Sequence, residues 1–141
     1  MQSGQGYTAI YTVAHIYSLA YIPAMPIDSK TFFQLLSDPT RLRCLLLMQA
    51  EGELCVCELT HALGQVQPKI SRHLAALRDA GVVSSRRQGQ WIYYRLHPEL
   101  PAWARQVIEV TAAGVGGQSP FTDDRAALAA MPNRPGSSCC A

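Results

Sequence analysis

Charge is scarce in this chain: Asp, Glu, Lys and Arg make up 16% of 141 residues, and the formal net charge is only +2. Total charge therefore points to no partner, and any basic surface must come from local clustering. Cysteine is also sparse and odd in number, five in all, placed as Cys44, the Cys55/Cys57 pair and the Cys139-Cys140 pair. That pattern is no disulfide framework, and reduced thiols in the cytoplasm are expected. The first charged residue is Asp28, so the N-terminal stretch lacks the positive segment of a secretory signal. It also lacks the run of roughly 20 apolar residues that a membrane helix needs, because Thr12, His15 and Ser18 interrupt it. No Cys-X-X-Cys redox spacing occurs, and no acid–base constellation accompanies the thiols, which argues against an enzyme. What is present is 48% hydrophobic residues, ample for one compact core at this length.

Residues 1–24 form an atypical leader with four of the six tyrosines, ending in Pro23-Ala24-Met25-Pro26. Either Met25 is the true start or the leader packs as an extra element. From Asp28 the pattern becomes helical, with Phe32, Leu35 and Leu36 on one face. Asp38-Pro39 then reads as an N-cap and first-turn proline for a second helix carrying Leu42, Leu45, Leu46 and Leu47. A short helix is predicted across Cys55 to Leu63, stopped by Gly64. Gln67-Pro68 opens another helix, from Lys69 to Ala80 and closed by Gly81. Val82 to Arg87 and Trp91 to Leu96 are rich in β-branched and aromatic residues around Gln88-Gly89-Gln90, which predicts a two-stranded hairpin with a basic tip. Leu100, Trp103, Ala104, Val107 and Ile108 recur at helical spacing. Residues 113–141 turn to Gly, Pro, Ser and Ala and read as a flexible tail with the terminal cysteine pair. The expected fold is mainly α with a small β-hairpin, a winged helix-turn-helix in the order α-α-α-α-β-β-α over residues 25–112.

In that fold the helix from Lys69 is the recognition helix. Gln67, Lys69, Ser71, Arg72 and His73 are its outward candidates for the major groove, with Ile70, Leu74 and Leu77 as the buried stripe. The bland alternative is an ordinary amphipathic surface helix, and the hairpin with Arg86 and Arg87 at its tip favours DNA. Arg78, Arg86, Arg87 and Arg95 are candidates for phosphate contacts. Arg78 pairing with Asp79 is an alternative, and His61 and His97 read as surface or capping residues.

The stretch ELCVCEL, residues 53–59, places Cys55 and Cys57 one residue apart. Successive helical residues turn by about 100°, so the two would face nearly opposite ways in a regular helix. A soft ion held by both thiolates therefore requires a non-helical or unwound backbone at the start of the helix that supports the recognition helix. Such binding would compete with DNA binding through one distorted element. The plain alternative is that both cysteines are small apolar fillers.

ELCVCEL, QPKISRHLAALRDAGVV and RRQGQWIYYRLHP together resemble the ArsR family of metalloregulatory repressors, in its arsenical-resistance branch, over about Asp38 to Val110. The resemblance implies a homodimeric winged-helix repressor that binds double-stranded operator DNA and is released by arsenite or antimonite, with As(III) or Sb(III) as inducer and no constitutive cofactor. It implies metal ligation by Cys55 and Cys57, and dimer contacts through the first and last helices, about Ser29 to Ser37 and Pro98 to Val110. A third cysteine, where the family has one, falls at Thr60 here. The third place on arsenic then falls to hydroxide, an external thiol, Cys44, or the tail residues Cys139 and Cys140. Pro98 to Glu109 contains no histidine, and residues 1–43 contain no cysteine, so the zinc and the cadmium or lead sites of other branches look absent. Two other functions stay open: a winged-helix repressor sensing another soft metal or oxidants through the same thiols, and a non-regulatory thiol redox or metal-transfer protein.

Overall fold

Two aspartates start the fold by capping its first two helices. Asp28 accepts the Thr31 N–H at 3.0 Å to open α1 (Ser29–Leu36). Asp38 accepts the Arg41 N–H at 3.0 Å to open α2 (Pro39–Glu51), where Pro39 sits in a first turn that needs no N–H donor. A computed structural model describes residues 26–135; the leader over 1–24 and the Cys139-Cys140 pair lie outside the described residues. The chain continues through β1 (Leu54–Cys55), α3 (Val56–Leu63), α4 (Gln67–Asp79), β2 (Val83–Gln88), β3 (Trp91–Leu96), α5 (Ala102–Val115) and α6 (Phe121–Ala129). α3 stops at Gly64, whose φ of 64° is the left-handed conformation that glycine adopts without strain. α4 follows after only Gly64, Gln65 and Val66.

The core fills the space between these helices and the sheet. Phe32, Leu45, Leu59, Ile70, Leu74, Leu77, Val82, Val83 and Ile108 are all fully buried, so the stripe expected on the recognition helix faces inward as its spacing requires. Helix-turn-helix and wing follow each other in the predicted order, and the fold is a winged helix. Among the described residues no helix is long and apolar enough to cross a membrane.

Three features differ from the sequence expectation. The wing has three strands in the order β1-β3-β2, because Leu54 pairs with Tyr94 and Cys55 with Tyr93 on the far edge of β3. A two-residue strand is too short to carry an alternating pattern, and only its pairing defines it. The helix expected from Cys55 therefore begins at Val56. The third difference lies in the tail expected to be flexible over 113–141: α5 runs on to Val115, and Phe121–Ala129 forms α6. Two residues dock α6. Leu128 is fully buried in the core, and the Asp124 carboxylate, 2% exposed, receives Arg43 Nε at 2.9 Å and Nη2 at 2.6 Å. Arg43 Nη2 also donates to the Leu63 carbonyl at 3.3 Å, tying α2 to the end of α3 and to α6 at once. The hydrogen bond to Asp124 holds the Arg43 guanidinium above its ordinary pKa.

Removing one partner of a buried charge pair leaves the other uncompensated. Asp124→Ala is expected to lower unfolding stability by about 3 kcal/mol in denaturant titration. A change under about 0.5 kcal/mol, the usual size for a surface substitution, would mean that α6 is not anchored by this pair.

Candidate functional site

Cys55 belongs to two elements at once. Its backbone is extended, with φ −84° and ψ 161°, and it is both the last residue of β1 and the N-cap of α3. Cys57 is the second residue of α3. Because the backbone is already non-helical at Cys55, the opposite-face argument for a regular helix does not apply. The two Cα atoms are 5.5 Å apart, and the side chains meet as a Cys55–Cys57 disulfide. The sulfurs are paired where reduced thiols were expected, and of the two backbone states that sharing an ion requires, non-helical or unwound, Cys55 has the first.

The junction is held by Glu58, one residue beyond Cys57 and only 2% exposed. Its Oε1 accepts the Cys55 N–H at 2.9 Å, so the carboxylate caps the helix that carries it and fixes the Cys55 backbone. Its Oε2 receives the Arg134 Nε, and Arg134 Nη2 also lies 3.5 Å from Glu51 Oε2. The segment after α6 thus returns to the start of α3. A buried carboxylate is tolerable here because a guanidinium neutralises it and a backbone donor fills its other oxygen.

The wing is tied to the same place. Glu53, two residues before Cys55, accepts Arg86 Nε at 2.8 and 2.9 Å. The Arg86 guanidinium lies 4.7 Å from the centre of the Tyr93 ring, the residue paired with Cys55. The Arg86 hydrogen bond holds the Glu53 carboxyl below its usual range, and the same bond raises Arg86. Arg86, predicted at the hairpin tip, therefore contacts the segment leading into Cys55. Arg87 points elsewhere, donating to the Gly89 carbonyl at 3.1 Å near the exposed turn.

On α4, Gln67 and Arg72 are exposed, Lys69 and Ser71 are half-buried on the same helix, and Val66 before them is 68% exposed. His73 departs from the outward set. Its Nδ1 lies 3.2 Å from Arg41 Nη1 and 3.9 Å from Asp38 Oδ1, at the N-terminus of α2. Burial lowers its pKa, Asp38 opposes that shift, and Arg41, Lys69 and Arg72 add to it. A neutral ring accepting from Arg41 fits the shorter distance better than an ion pair with Asp38, so His73 joins the α4 and α2 elements and does not extend toward solvent. Arg78 reaches Asp79 at 3.5 Å, the pairing weighed as its alternative.

Cys44 is fully buried among the α2 leucines, and burial pushes its thiol up to about 12. The free thiol therefore stays protonated at neutral pH, packed in the core. Among the described residues no group of three or more His, Cys, Asp and Glu side chains is placed to hold a metal. Glu53, Glu58 and Arg134 are the residues that sequence reasoning missed. Glu58 alone left a signal, three positions after the N-cap, where a capping box places its acid.

A sequence profile described as "Bacterial regulatory protein, arsR family" matches residues 38–85. The arsenic resistance transcriptional regulator ArsR1 of Pseudomonas putida is 54% identical over 105 residues, 73% of this chain and 79% of that protein. The arsenical resistance operon repressor of Escherichia coli is 56% identical over 77 residues, 55% of this chain and 66% of that protein. Among solved structures, the AntR antimony-specific transcriptional repressor is similar with a TM-score of 0.53 at 25% identity, covering 70% of this chain and 91% of that one.

The depressed His73 pKa has a measurable consequence. Between the unfolded value near 6.5 and the lower folded value, the unfolded chain binds a proton that the folded chain refuses. Stability at this site is therefore complete above pH 6.5 and declines as pH falls below it. His73→Asn is expected to flatten that decline in thermal melts taken between pH 7 and pH 5. An unchanged slope would show that His73 does not carry it.

Proposed function

We propose a function from one premise: this chain belongs to the arsR family of bacterial regulatory proteins. It is a winged-helix transcriptional repressor of the arsenical-resistance type that binds operator DNA as a homodimer in the cytoplasm. As(III) or Sb(III) on the thiolates of Cys55 and Cys57 releases it. The observation that carries this reading is the position of the cysteine pair, at the one junction shared by the wing sheet and the helix beneath the recognition helix.

Four residues of α4, Gln67, Lys69, Ser71 and Arg72, supply groove contacts, and Arg86 and Arg87 of the wing bind phosphate. A second copy covers the aromatic face where α1 meets α5. Phe32 and Trp103 stack edge to face at 5.1 Å, while Phe33 and Trp103, with ring centres 6.4 Å apart, remain 52% and 38% exposed. Large apolar side chains left exposed in one patch are typical of an uncovered subunit contact.

The inducer needs the reduced pair. Soft trivalent arsenic binds thiolates, and the N-terminus of α3 favours negative charge on them. Since Cys55 is already extended, the coupling does not come from unwinding. It comes from separating the two sulfurs by an inserted ion, which shifts β1 against Tyr93 and disturbs the Glu53–Arg86 pair that sets the wing. Linkage requires operator DNA to weaken inducer binding by the same factor, typically about 5- to 150-fold. The disulfide seen between the same cysteines favours a second reading, in which an oxidant acts on this pair. In either case the oxidised protein cannot take up arsenite.

Cys55→Ser and Cys57→Ser are each expected to bind operator normally and to stay bound at arsenite concentrations that release the wild type, as followed by fluorescence anisotropy. A wild-type response from either variant would place the sensor elsewhere. Protein oxidised with diamide should ignore arsenite until it is reduced.

On the DNA side, Lys69→Ala and Arg72→Ala should each cost about 1–3 kcal/mol on operator and less on random sequence. Arg86→Ala and Arg87→Ala should weaken both DNAs alike and flatten the salt dependence. Equal losses on both DNAs for all four variants would argue against base readout by α4.

A further inference from the structure

Thr60 sits one helical turn after Cys57, and its side-chain oxygen is withdrawn from solvent with no hydrogen-bond partner among the described residues. That is unusual. A buried hydroxyl left unpaired costs free energy, and most are satisfied by neighbouring protein or water. Residues three apart on a helix have Cβ atoms about 5–6 Å apart on one face, and helical side chains lean toward the N-terminus. Thr60 therefore shares a helix face with Cys57, one turn further on.

We propose that Thr60 is the residue that receives the third substituent of the bound metalloid, a hydroxide on arsenic. The proposal rests on the reading of Cys55 and Cys57 as the metalloid thiolates. Arsenite, As(OH)3, exchanges two hydroxyl groups for the two sulfurs. Each leaves as water with a thiol proton, and arsenic remains trivalent with one As–OH. Threonine is both donor and acceptor, so it pairs with that hydroxyl in either orientation. The oxygen that has no partner among the described residues gains one when the inducer binds. Thr60 thus fits a site of two sulfurs and one oxygen.

The test uses the full-length protein, reduced with a phosphine so that no added thiol can fill the third position. Arsenic X-ray absorption of the wild type should count two sulfurs and one oxygen. Thr60→Val keeps the shape but removes the hydroxyl, and should weaken arsenite binding about fivefold, the value of one hydrogen bond. The same substitution should raise the melting temperature of the ligand-free protein, because the unpaired oxygen is gone. Thr60→Ser should bind arsenite like the wild type. Phenylarsine oxide carries a phenyl carbon in place of the hydroxide, and its affinity should be unchanged by Thr60→Val. Three sulfurs on arsenic in the wild type, equal arsenite affinities for wild type and Thr60→Val, or equal losses for arsenite and phenylarsine oxide would each overturn the proposal. Arsenite binding that survives Cys55→Ser and Cys57→Ser would instead overturn the thiol reading beneath it.

Discussion

The arrangement of this molecule turns on a single buried carboxylate. Glu58 accepts the backbone N–H of Cys55, which fixes the residue where strand becomes helix, and it is neutralised by Arg134 from the far end of the described chain. Without a hydrogen bond at that N–H, Cys55 would lose the constraint that keeps it extended. Because it is extended, the Cys55 backbone can pair with Tyr93 while the Cys55 side chain turns toward Cys57. The cysteine pair, the wing edge and the start of α3 are thus consequences of one local choice of backbone conformation.

Much of the winged helix was legible because it is built from local signals. Asp38-Pro39, Gly64 and Gly81 mark helix ends through capping and positive φ, and Ile70, Leu74 and Leu77 declare the inner face of α4 by spacing alone. The illegible parts depend on partners distant in sequence. β1 exists only through its register with β3, and α6 docks on one leucine and one aspartate inside a stretch whose composition reads as linker. The contacts of His73 were hidden for a related reason. Spacing put it among outward residues, but Asp38 and Arg41 sit where its ring can reach back to α2. The helix expected from Cys55 begins one residue later, the usual uncertainty of a helix boundary, and leaves Cys55 in the non-helical backbone that bringing the two sulfurs together requires.

Arg86 shows how a wing arginine can be more than a free cation. Its contacts with Glu53 and Tyr93 are exposed and weak by the standards of a buried pair, so they can be exchanged at little cost. Arg87 donates to the turn carbonyl of Gly89 and, among the described residues, has no such tie to the cysteine segment. Adjacent arginines that look equivalent in sequence therefore differ in what a shift at Cys55 would do to them.

The pairing of Arg43 with Asp124 joins residues 81 positions apart. A chain made from its N-terminus carries Arg43 long before Asp124 has been added, so the guanidinium meets this carboxylate only late in synthesis. Closing so long a loop carries an entropic cost that rises only slowly with length, and the helix arrives at a surface that is already formed. The order of synthesis thus divides the domain into an early body and a late clasp. The segment that finishes the buried charge pair is also the one that brings Arg134 to Glu58, so both ties come from the C-terminal end of the described residues.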